Sequence, residues 1–70
     1  MAEWSLWMLT HTGRSPIVQK CSLETAMKKL DMTVKRRRAS GWSVTARNAQ
    51  CVVLRNGPGA ITFEIVREEQ

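Results

Sequence analysis

A single histidine, His11, two cysteines, Cys21 and Cys51, and six carboxylates are the side chains of this chain with the chemistry for catalysis or metal binding. His11 stands beside a glycine-containing turn, and no Ser or Cys nucleophile is tied to it by a motif. Glu3, Glu24, Asp31, Glu64, Glu68 and Glu69 are scattered, so no two are set by spacing for acid and base roles. A zinc site built from His11, Cys21 and Cys51 would supply three ligands without a paired C-x-x-C or H-x-x-x-H unit, a poor match to structural zinc. "TGRSP" and "NGPG" match neither a P-loop nor a dinucleotide fingerprint. The expectation is a non-enzymatic protein with no cofactor, no metal and no small-molecule substrate.

What remains is the chemistry of cations, the capture of phosphates or acidic groups. Between residues 20 and 38, Lys20, Lys28, Lys29, Lys35, Arg36, Arg37 and Arg38 face only Glu24 and Asp31. Elsewhere Arg14, Arg47, Arg55 and Arg67 are balanced by Glu3, Glu64, Glu68 and Glu69, so the whole formal net charge of +5 lies in that one segment. Lys28, Lys29, Lys35 and Arg36, continued by Arg37 and Arg38, form a candidate stripe for nucleic acid or another polyanion, with counterion release contributing affinity. The plainer reading is the wet face of an amphipathic helix. A merely solvated face normally mixes Glu with Lys at i,i+4, whereas here Asp31 alone breaks the positive run, and Met32 projects into it. "RRRAS" also resembles the basic-basic-x-Ser pattern that some kinases accept, at Ser40, where a phosphate would offset part of the cluster.

The elements that would position these residues can be read from period and punctuation. "WSLWMLT", residues 4–10, has the β-compatible composition of a strand, "THTGRS" supplies a turn, and "PIVQK" returns as an edge strand, because Pro16 cannot donate to a ladder. Ser22 suits a helix N-cap and Glu24 its first turn. Leu23, Ala26, Met27, Leu30 and Val34 then recur at spacings of three and four, which places them on one face of a helix over about residues 23–38, ended by Gly41. From Trp42 the period changes to two, with Trp42, Val44 and Ala46 opposed to Ser43, Thr45 and Arg47. "RNAQ" is a turn, "CVVLR" a strand, "NGPG" a second turn, and "AITFEIVR" a strand with Ile61, Phe63 and Ile65 inward. Residues 67–70 read as a frayed tail. The fold class expected is α+β: an antiparallel sheet of four to five strands in the order β-β-α-β-β-β, with one basic amphipathic helix on one face.

That architecture leaves a face without a cover. One helix screens one side of a sheet, yet Trp4 and Trp7 point to opposite sides and "CVVL" is apolar on both. The uncovered side is expected to carry some of Trp7, Leu9, Val52, Leu54 and Val66. Either the sheet curls into a partial barrel around them or a homodimer or protein partner covers them, with an aromatic platform for bases as a third use.

Length bounds the rest, since 70 residues make one domain, 1–70, whose small core buries roughly 60% of the unfolded surface. The chain opens with Met1 and reads as complete, without a signal peptide or an apolar run of roughly 18 residues, so a soluble cytoplasmic location and no membrane association are expected. The two cysteines are expected to be reduced rather than bridged. The composite expectation is a small, self-associating binding protein that engages nucleic acid or another polyanion through its basic helix. The runner-up is a small inhibitor or adaptor of another protein, of the kind phages and mobile elements encode.

Overall fold

In the computed structural model, which describes residues 3–68, the elements are β1 (Glu3–Thr10), β2 (Gly13–Cys21), α1 (Leu23–Ala39), β3 (Ser43–Arg47), β4 (Cys51–Asn56) and β5 (Gly59–Glu68). The strands form one antiparallel sheet in the order β2-β1-β5-β4-β3, and α1 packs on it, so the fold is α+β with five strands and one helix. β2 and β3 are the two edges and are not paired with each other, so the sheet is not a closed barrel.

Local chemistry sets the boundaries of the helix. The Ser22 hydroxyl accepts the Thr25 N–H at 3.1 Å, as an N-cap should, and Glu24 lies in the first turn. At the other end Gly41, with φ of 98°, takes the left-handed conformation that lets its N–H reach the Arg38 carbonyl and the Trp42 N–H reach the Arg37 carbonyl. This pair of bonds satisfies the last free carbonyls of the helix.

Leu6, Ala26, Leu30, Val34, Val52, Leu54, Ile61, Phe63 and Ile65 are buried between α1 and the sheet, with Trp4, Met8, Val18, Trp42 and Val44 packed around them. Two assignments made from the sequence change here. Met27 lies at the margin of the apolar face and is 43% exposed, leaving Leu23, Ala26, Leu30 and Val34 to make the contact. Val52 and Leu54, expected on the uncovered face, are wholly buried beneath the helix, and Cys51 and Val53 occupy the other side. The reason is the hairpin before β5: its two-residue loop, Gly57 and Pro58, pairs Asn56 with Gly59, and therefore Leu54 with Ile61 and Val52 with Phe63.

Strand irregularities move other side chains. In β3 the register slips between Val44 and Ala46, so Thr45 is an extra, bulged residue and Arg47 pairs with Val52 on the helix side of the sheet. Strict alternation had put Arg47 on the opposite side from Val44. In β2 two slips, one on either side of the Leu6–Val18 pair, let Ile17 and Val18 both pack against the core. Lys20 takes a positive φ of 54° there, and Pro16 lies in the edge strand, where its missing N–H removes nothing from the ladder on the outer side. β5 runs through Glu68, so Arg67 and Glu68, expected to be frayed, pair with Trp4 and Glu3, while residues 69–70 lie outside the described residues.

Candidate polyanion-binding groove

The basic residues of α1 do not form a single stripe. At about 100° per residue, Lys28, Met32 and Lys35 occupy the outer crest, Lys29 and Arg36 the flank toward β2, and Asp31 and Arg38 the flank toward β3. Lys28 is paired with Glu24 at 3.7 Å in a fully solvated i,i+4 contact.

Arg37 lines the groove on the β2 side with Lys29 and Arg36, and it also packs inward. It is half-buried, its guanidinium carbon lies 5.8 Å from the centre of the Trp42 ring, and Nη2 approaches the Met8 sulfur at 3.9 Å. Spacing accounts for the inward contact: Arg37 follows Ala26, Leu30 and Val34 round the helix and falls at the edge of their face, so its stem packs at the helix end.

Arg47, which the sequence placed among balanced charges away from the helix, joins the site. The bulge at Thr45 turns it toward α1, where Nη2 donates to the Asp31 carboxylate at 2.7 Å. Lys35, Arg38 and Arg47 thereby line one open groove of about 800 Å³ between α1 and β3, together with Ala39, Trp42, Ser43 and Val44. No acid lines it. Asp31 lies on the adjoining slope and is engaged by Arg47, which leaves Lys35 and Arg38 without an ion-pair partner among the described residues. Lys29 and Arg36 flank a smaller groove on the β2 side with Ile17, Met32 and Ser40.

The uncovered sheet face carries Trp7 and Leu9, as expected, with Val53, Thr62 and Val66 beside them, all half-buried. Trp7 is partly sealed by its own chain: Arg14 stacks on its ring at 4.4 Å, and Nε1 donates to Glu68 at 3.4 Å. The large apolar side chains that stand exposed are Met27 and Met32, both on the helix.

The remaining reactive residues are kept apart. Cys21 in β2 and Cys51 in β4 are separated by two intervening strands, about 14 Å, and lie on opposite faces, so they cannot bridge. His11 sits in the β1–β2 turn, at the far end of the hairpin from Cys21, so the three residues considered for zinc do not converge. Ser40 is the exposed C-cap residue of α1. Among the described residues no helix is long and apolar enough to cross a membrane. Comparison of the chain with protein-family models, with curated proteins and with solved structures finds no match.

Proposed function

We propose that this is a non-enzymatic, cytoplasmic binding protein that engages nucleic acid or another polyanion through the groove between α1 and β3. The observation that carries the reading is the convergence of Lys35, Arg38 and Arg47 from two elements on a groove with no acid in its lining among the described residues. A solvated helix face needs no contribution from a neighbouring strand. Here a bulge brings one, and Asp31 holds its guanidinium in place while leaving other N–H groups of Arg47 to bind. Lys28, Lys29 and Arg36 enlarge the positive surface around the groove. The cysteines, too far apart to bridge, suit a reducing compartment.

The test is the salt dependence of binding to nucleic acid of mixed sequence. Three to four phosphate contacts give a log–log slope of about −2 to −4. Replacing Lys35, Arg38 and Arg47 together by Gln flattens that slope by about 2 with the fold intact, because all three are exposed. Absence of binding at low salt, or indifference to the triple change, overturns the reading.

One observation favours a second reading. Met27 and Met32 expose apolar surface on the same helix, which fits a protein partner that presents acidic groups around an apolar pocket. Such a complex would weaken on Met32→Lys, a change that leaves binding to a pure polyanion equal or stronger.

A further inference from the structure

We infer that the ligand of the α1–β3 groove is single-stranded nucleic acid, with one base laid against the Trp42 indole and its flanking phosphates on Lys35, Arg38 and Arg47. The inference rests on the polyanion reading and specifies its substrate. Three features of the groove carry it.

The first is the ring. Trp42 is half-buried and lines the groove beside the three cations. Its far edge is received by Gly59, where an added Cβ would come within 3.3 Å of Cη2, and Arg37 lies over it from the helix. The indole is thus held against Gly59 and Arg37, beside Lys35 and Arg38, which have no ion-pair partner among the described residues. The other tryptophans lack this setting: neither Trp4 nor Trp7 lines this groove, and Trp7 is bonded to Glu68, with Glu64 as its cross-strand neighbour. Acids at that place repel phosphates.

The second is the strand. β3 is a sheet edge, so the backbone N–H and C=O groups on its outer side have no ladder partner, and Ser43 and Val44 of that strand line the groove. These groups can bond the edges of a base or a sugar hydroxyl. The third is the lining, which sets an aromatic ring beside cations in one open groove of about 800 Å³. A stacked and paired base offers neither a free face to the indole nor free edges to the strand. An unpaired base offers both.

The experiment compares three anions at one ionic strength: an oligothymidylate of about eight nucleotides, a duplex of equal length, and polyglutamate, which has charge without bases. The oligothymidylate is expected to bind tightest and to quench tryptophan emission. Trp42→Ala is expected to weaken it about five- to hundredfold while leaving polyglutamate binding unchanged. Trp42→Phe, which keeps an aromatic ring against Gly59, is expected to abolish most of the quench while binding persists, and this variant decides the matter if Trp42→Ala does not fold. Equal affinity for strand, duplex and polyglutamate, or a quench that survives in Trp42→Phe, overturns base stacking and leaves the polyanion reading standing. Failure of all three anions to bind at low salt overturns both.

Discussion

The Arg37 guanidinium lies over the Trp42 ring, 5.8 Å from its centre, across the turn in which the Trp42 N–H closes back on the Arg37 carbonyl at 3.0 Å. One residue pair therefore shares a backbone bond that terminates α1 and a side-chain contact that joins the helix end to the start of β3. An apolar contact usually spans these two positions of the motif, and here a cation and an aromatic ring make it. The neighbouring Arg38 lines the groove and touches no acid among the described residues.

Arg37 and Arg38 are accordingly expected to behave differently. Arg37→Gln should lower unfolding free energy by about 0.5–1 kcal/mol in urea titrations, with the salt slope of nucleic-acid binding unchanged. Arg38→Gln should leave stability within about 0.5 kcal/mol and reduce the magnitude of the slope by about 1. Identical behaviour of the two variants in both measurements would contradict the placement of Arg37.

The bulge in β3 predicts an unusual tolerance. Deleting Thr45 leaves Ala46 opposite Val53 and Arg47 opposite Val52, the register already present, and forfeits chiefly the bond from its hydroxyl to the Val53 carbonyl. Thermal unfolding of the deletion variant should stay close to that of the parent, with polyanion binding retained. Deleting Val53 instead shifts one side of β4 by a residue and carries either Val52 or Leu54 out of the core, so it should abolish cooperative unfolding.

Val53 and Leu54 are adjacent and apolar, yet they lie on opposite sides of the sheet. Leu54→Ala should cost about 2–5 kcal/mol, a large share of the roughly 5–15 kcal/mol available to a small domain. Val53→Thr, on the half-open side, should cost less than about 1 kcal/mol. Chemical denaturation of the two variants tests the assignment of faces, and a reversed order would mean that the β4–β5 register is wrong.

Ser5 is buried on the face opposite the helix, and its hydroxyl has no hydrogen-bond partner among the described residues. A hydroxyl taken from water without compensation is unfavourable, whereas a methyl group of similar size is not. Ser5→Ala should therefore be neutral or stabilising by up to about 1 kcal/mol in the same denaturation assay. A loss above that amount would show that the hydroxyl is satisfied in solution.

The element order, the helix caps, the turns and the confinement of positive charge to one segment were determined by the sequence itself, because each depends on residues within a few positions of one another. Ser22 meets the Thr25 N–H, Gly41 supplies the positive φ after the helix, and the spacing from Leu23 to Val34 repeats on one face. The faces of β4 were legible only through the turn that follows it: "CVVL" is apolar on both sides, and the two-residue loop of Gly57 and Pro58 ties Leu54 to Ile61. A reading of that loop together with the inward set of β5 would have placed Val52 and Leu54 in the core. The site was less visible. Arg37 could have been assigned inward by extending the helical period one more turn, but Arg47 could not have been assigned to the groove, since the period of two that marks a strand carries no sign of where an extra residue will be accommodated. That choice belongs to the tertiary structure: holding Val44 against Leu54 and Arg47 against Val52 at once requires one residue to bulge, and the bulge is what turns a strand arginine toward the helix.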